Sequence, residues 1–198
     1  MLEGLFEWFR GFGPVFALLG LFIIFLIDST VFPALPELFA VLAFMMDPTP
    51  EWGIALLAAA CLAELCGNSL LYFLVRGRNL PGFIKRAMRR WTQFIFLKDE
   101  RIILLNRIAP VMPFTGAFMA VCKWSYGRSM LYLAAGGLAK YSALFLLVGA
   151  LDYRFEREAA QTFSLAAVAI VICISLLASY AYRKKMARGK REKSDKYK

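Results

Sequence analysis

The chain has 198 residues, 60% hydrophobic and only 19% charged, with a formal charge of +10 and no histidine. Soluble domains of this length are usually about 45–50% apolar and about a quarter charged, so this composition excludes an ordinary soluble enzyme and leaves room for one membrane domain. The missing histidine removes the commonest general base and metal ligand, and the basic residues cluster beside apolar runs, where they orient a membrane protein, so nucleic acid is not an expected partner.

Glu3 and Glu7 stand where a secretory signal would carry positive charge, so the first apolar run, Gly13 to Ile27, reads as a retained span with Asp28 near its end. Phe32-Pro33-Ala34-Leu35-Pro36-Glu37 follows, then a short apolar run from Leu38 to Met46. Two prolines three residues apart break a helix at its entry, and a run of that length fits a re-entrant segment (about 33–46) better than a span. Asp47-Pro48-Thr49-Pro50-Glu51 reads as an exposed acidic loop, and Trp52 to Val75 as a span containing Glu64, Gly67 and Asn68.

Between about 80 and 97 the apolar residues Phe83, Ile84, Ala87, Met88, Trp91, Phe94 and Ile95 recur at helical spacing. Lys85, Arg86, Arg89 and Arg90 fall on the other side, as in an amphipathic helix lying among anionic headgroups; these four and Trp91 are the expected membrane-surface contacts. Ile102 to Cys122 is apolar but interrupted by Arg107, Pro110, Pro113 and Gly116, and reads as a second re-entrant segment (about 103–122). Met130 to Leu151 spans, carrying Gly136, Gly137 and Lys140; Asp152 to Glu158 is a mixed-charge loop. Phe163 to Tyr182 is the last span, and 183–198 a basic hydrophilic tail.

Lysine and arginine placement sets the orientation. Segment 76–101 carries eight of them and the tail nine, whereas 47–51 carries none and 152–158 two. By the positive-inside rule both basic segments and both termini are cytoplasmic. The expected fold is therefore an all-α polytopic membrane domain over 1–182: about four transmembrane helices, two opposed re-entrant hairpins and one interfacial helix. Each half holds a Pro-x-x-Pro segment, Pro33/Pro36 and Pro110/Pro113, beside an ionisable residue, Glu37 and Arg107. Paired broken segments of this kind point to a transporter's binding site.

Ionisable residues in apolar surroundings cost ~2.5–3.5 kcal/mol each on insertion scales. Here they are Asp28, Glu37, Glu64, Arg107 and Lys140. Glu37 and Arg107, beside broken backbone, are the stronger functional candidates. Glu64 and Lys140, inside unbroken helices, read rather as pairing residues, and Asp28 could belong to the interface. Gly116, Gly136 and Gly137 permit close helix approach. Cys61, Cys66, Cys122 and Cys173 show no C-x-x-C spacing and lie in apolar stretches, so neither a metal site, a cofactor nor a disulfide framework is expected.

Arg107-Ile-Ala-Pro110-Val-Met-Pro113-Phe-Thr-Gly116, followed by Tyr126-Gly127-Arg128 and Gly136-Gly137, resembles the signature of the DedA family, the VTT-domain or SNARE-associated Golgi membrane proteins. The first half agrees through Asp28, Pro33-x-x-Pro36-Glu37 and Glu64-x-x-Gly67-Asn68-x-x-x-Tyr72-x-x-x-Arg76-Gly77, so the resemblance covers about residues 12–150. It implies two re-entrant hairpins meeting in the bilayer and movement of lipid between leaflets: scrambling of phospholipid or recycling of polyprenyl phosphate, with proton coupling. On that resemblance the membrane acids fall on Asp28 and Glu37 and the first essential arginine on Arg107. Many bacterial members carry a second arginine where this chain has Pro113, and the Pro-x-x-Pro form is closer to the scramblase-like branch.

The expected function is a lipid transporter or scramblase with no enzymatic chemistry. The headgroup would meet Arg107, Glu37, Pro110, Pro113 and Gly116, and Asp28, Glu37 and Glu64 are the candidates for proton coupling. Its partners would be membrane phospholipid or polyprenyl phosphate and anionic headgroups, with homo-oligomerisation left open. A coupled small-solute transporter and a non-catalytic assembly factor are the alternatives; an intramembrane lipid phosphatase lacks an evident nucleophile and base.

Overall fold

The computed structural model describes residues 13–30, 35–77, 99–108, 114–154 and 165–174, with isolated positions at 163, 177, 180, 181 and 184. The regular elements among these residues are all helices. The expected interfacial helix with Lys85, Arg86, Arg89, Arg90 and Trp91, the prolines Pro33, Pro110 and Pro113, and nearly all of the basic tail lie outside the described residues.

Among the described residues three helices are long and apolar enough to cross a membrane: α1 (Gly13–Thr30), α3 (Pro50–Gly77) and α6 (Tyr126–Arg154). At ~1.5 Å per residue α1 is ~27 Å long, close to the ~30 Å hydrocarbon thickness of a bilayer. Their outward faces carry large apolar side chains: Ile54 is 67% exposed, Leu131 66% and Leu146 74%. Water is a poor solvent for such a surface and lipid a good one. Together these features point to a multi-pass membrane protein. Of the expected fourth span, residues 165–174 are described and form α7 (Leu165–Ile174), whose Val168 is buried in the core.

Three further helices are far too short to span: α2 (Pro36–Phe44), α4 (Ile102–Ile108) and α5 (Thr115–Val121). Pro36 opens α2 at a position where its missing N–H costs nothing. Before α2 stands Leu35 (φ 51°, ψ 57°) and before α5 stands Phe114 (φ 57°, ψ 52°), both left-handed and neither giving a side-chain cap. A bulky residue in that region costs roughly 1–2 kcal/mol, so each break is held by its surroundings. α3 begins earlier than the sequence implied. Thr49 accepts from the Trp52 amide at 3.4 Å, Pro50 takes the first helical position and Glu51 lies in the first turn, where its charge suits the helix dipole. The expected 47–51 loop thus stops at Thr49. The 152–158 loop is likewise displaced, because nothing before Asp152 interrupts α6, which runs on to Arg154.

Two apolar clusters hold the helices together. One joins Leu21 and Phe25 of α1, Val41 and Phe44 of α2, Leu56 and Ala60 from the first half of α3, and Tyr141 to Val148 from the second half of α6. The other joins Tyr72 near the end of α3, Ile102 and Ile103 of α4, Phe118 and Met119 of α5, and Leu133 from the first half of α6. Hence α3 and α6 run antiparallel, and α2 and α5 pack at opposite ends of the pair. At the α2 end Phe44 stacks on Phe145 at 4.7 Å between centroids, and the absent Cβ of Gly53 gives it room. Trp52 ties α3 back to α2 by donating from Nε1 to the Ala43 carbonyl at 2.8 Å. Trp52→Phe keeps the ring and loses this bond; the expected cost is about 1 kcal/mol, read as a lowered unfolding midpoint in detergent.

The halves repeat a plan: a helix, a break, a short helix, a turn and a long helix. The backbone sets a register different from the one the prolines implied. Leu35 follows Asp28 by seven residues and Phe114 follows Arg107 by seven, so in this register Asp28 stands where Arg107 does. In the long helices Glu64 stands fourteen residues after Pro50, and Lys140 fourteen after Tyr126.

Candidate functional site

Between the two apolar clusters, the middle of the bundle is polar. Arg107, at the end of α4, meets Glu64 of α3 in a two-pronged pair: Nη1 donates to Oε1 at 2.9 Å and Nη2 to Oε2 at 2.8 Å. The Glu64 side chain is 5% exposed and that of Arg107 17%. A planar fork on a carboxylate is the strong form of ion pair, and at this depth each charge would be costly alone. The resemblance places the membrane acids on Asp28 and Glu37 and the arginine on Arg107. The structure instead gives the direct contact to Glu64, because α3 brings its midpoint against the end of α4, while Glu37 sits at the start of α2 and pairs with Lys140 of α6.

The two pairs cross between the halves. Glu64, on the long helix of the first half, reaches the broken segment of the second; Lys140, on the long helix of the second, reaches the short helix of the first. The signs are exchanged as well: the long helix supplies the acid in one pair and the base in the other.

One face of α6 receives both pairs. A Cβ on Gly136 would lie 2.8 Å from Cγ of Arg107, and one on Gly137 would lie 2.9 Å from Oε2 of Glu64. The Gly-Gly dipeptide is therefore the bed on which the guanidinium stem and the carboxylate lie, and Lys140 and Tyr141 follow one turn on. Tyr141 is 2% exposed and packs edge-on against Phe25 at 5.0 Å. Glu64, Glu37, Arg107 and Asp28 all act on it electrostatically, and Asp28 acts on Arg107 too, so the three acids and the arginine share one neighbourhood.

Asn68, one turn beyond Glu64, holds the second broken segment. Its Nδ2 donates to the Glu64 carbonyl at 2.9 Å, and its Oδ1 accepts from the Gly116 amide at 2.9 Å. Phe114 offers α5 no cap, so this side chain from another helix satisfies a free amide of its first turn. Gly116 is buried, and a Cβ there would lie 2.2 Å from the Asn68 carbonyl oxygen; the structure places it in helix packing. Beyond Asn68 the stripe continues, with Arg76 Nη1 donating to the Tyr72 hydroxyl at 2.6 Å. The polar face of α3 thus runs from mid-helix to its end.

Of the residues expected to form the site, Arg107, Glu37, Glu64 and Asp28 come together, Gly116 packs nearby, and Pro110 and Pro113 lie outside the described residues. Lys140 and Asn68 were not among the expected headgroup contacts. The signal for Lys140 was its charge within an apolar span, and for Asn68 its four-residue spacing from Glu64. Arg107 Nε is buried and has no hydrogen-bond acceptor among the described residues. Comparison with family models, with curated proteins and with solved structures finds no match to this chain.

Proposed function

We propose that this protein moves a phosphate-bearing lipid, a phospholipid or a polyprenyl phosphate, between the leaflets of a cell membrane, in the manner implied by the DedA-like residue pattern. In this reading α2 and the α4–α5 segment are re-entrant hairpins entering from opposite faces. The last span is completed around α7, residues 80–97 lie along the inner surface, and both termini are cytoplasmic.

The observation that carries the reading is Arg107. It is a guanidinium held deep in a bundle with an apolar exterior, at a break in the chain, fixed by a carboxylate on one edge and with a donor still to satisfy. A headgroup crossing a bilayer needs such a polar stop, and broken helices supply free backbone groups beside it. The packing of α2 and α5 at opposite ends of the antiparallel α3–α6 pair supports the opposed hairpins. Glu64 and Asp28 beside Arg107, with Glu37 close to the same Tyr141, offer places for protons to bind as an anion arrives or leaves.

The test is reconstitution of the purified protein into vesicles carrying a labelled phospholipid or polyprenyl phosphate in one leaflet. The expected result is equilibration across the bilayer far faster than in protein-free vesicles. Leaflet asymmetry that persists for both lipids would sink the proposal, and solute uptake in its place would favour a coupled small-solute transporter.

A further inference from the structure

Lys140 has no role in that reading beyond neutralising Glu37. We propose that it is the second cation of the headgroup site: Arg107 and Lys140 together clamp the lipid phosphate, and Glu37 is the carboxylate that the phosphate displaces. The inference rests on the lipid-phosphate reading and adds a binding residue to it.

Three observations support the clamp. First, Gly136 lies under the Arg107 stem and Gly137 against the Glu64 carboxylate, while Lys140 stands three and four residues further along the same helix. That spacing returns to the same face ~5–6 Å along the axis, which is the scale of one phosphate group between two cations. Second, Glu64 occupies the terminal nitrogens of Arg107 and leaves the buried Nε–H without an acceptor. A buried donor without a partner is costly, and a phosphate oxygen arriving from the Nε side satisfies it while Glu64 keeps its fork.

Third, the two pairs differ in how readily they can exchange. The Lys140 and Glu37 side chains are 23% and 17% exposed, against 17% and 5% for Arg107 and Glu64. The outer pair is therefore the one an incoming anion can open. Glu37 also lies in the first turn of α2, where the helix dipole favours a negative charge after Lys140 has left it. The division of labour suits the chemistry: the guanidinium fixes orientation, and the flexible ammonium follows the phosphate as a point charge.

The experiment measures binding of short-chain phosphatidic acid, and separately of inorganic phosphate, to the purified full chain in detergent. Wild type is compared with Glu37→Gln and with the double variant Glu37→Gln/Lys140→Gln, which leaves no lone charge behind. Removing the competing carboxylate should tighten phosphatidic acid binding by roughly tenfold, and removing the ammonium as well should weaken it roughly tenfold or more relative to wild type, the scale of one charge-assisted contact. Equal binding of inorganic phosphate would keep the clamp and make free phosphate its ligand. A double variant that binds as tightly as wild type, or as tightly as Glu37→Gln, overturns the clamp alone, for Lys140 would then only neutralise Glu37. Wild-type protein that binds neither probe overturns the clamp together with the function on which it rests.

Discussion

Glu64→Ala is expected to destabilise the protein by about 3–5 kcal/mol, the usual cost of stranding one partner of a buried ion pair. The guanidinium of Arg107 would lose both acceptors at once while remaining wedged against Gly136. Arg107→Ala should cost a similar amount, since it leaves the Glu64 carboxylate buried against Gly137. The double variant Glu64→Ala/Arg107→Ala should cost far less than the sum of the two single losses, because it strands no charge. Unfolding midpoints in detergent for wild type, the single variants and the double variant would show this non-additivity. Additive losses would mean that the two side chains do not depend on each other.

Gly116→Ala should be the most damaging of the glycine substitutions, costing about 3 kcal/mol at the upper end of ordinary overpacking. The atom in the way is the Asn68 carbonyl oxygen, 2.2 Å from the new Cβ, with two more backbone atoms of Asn68 at 3.0 Å. A helix backbone cannot step aside as a side chain can, so α5 must move and lose the Gly116–Asn68 hydrogen bond. Gly67→Ala is the informative contrast. Its nearest obstacle is Ser29 Oγ at 1.8 Å, the end of a side chain. Pairing Gly67→Ala with Ser29→Gly should therefore recover part of the loss, whereas no truncation of a neighbouring side chain should rescue Gly116→Ala. Thermal unfolding and the yield of monodisperse protein would separate the two cases.

The spans were the legible part of the fold. Apolar runs of helical length mark α1, α3 and α6 because a bilayer demands length and hydrophobicity together. Of the prolines expected to break the chain, Pro36 is described and opens α2, since proline suits a first helical position and stops a helix that would run into it. What the prolines could not give was the register of the repeat. The matching positions are Leu35 and Phe114, and neither residue type signals a left-handed conformation as glycine or asparagine would.

The members of the charge cluster were legible, but not their pairing. A buried charge in an apolar span has to find a partner, which selects Asp28, Glu37, Glu64, Arg107 and Lys140 from composition alone. Which acid meets which base depends on the antiparallel packing of α3 and α6, and on two glycines that let Arg107 and Glu64 lie flat on α6. Neighbouring broken backbone sets Glu37 apart from Glu64 in the sequence, and Glu64, expected as a pairing residue, is the acid that meets Arg107. Gly136-Gly137 could be read as a place of close approach, while the charged pair that approaches it could not.

The central claim is that the crossed charge cluster moves the lipid and does not serve only to hold the bundle together. Leaflet exchange of a labelled phospholipid by Glu64→Gln/Arg107→Gln, reconstituted at the same amount of folded protein as wild type, tests it most directly, because this variant removes the guanidinium without leaving a buried charge. Exchange should fall to the rate of protein-free vesicles while the variant keeps its fold. Exchange at the wild-type rate would contradict the claim and leave the Glu64–Arg107 pair a purely structural one.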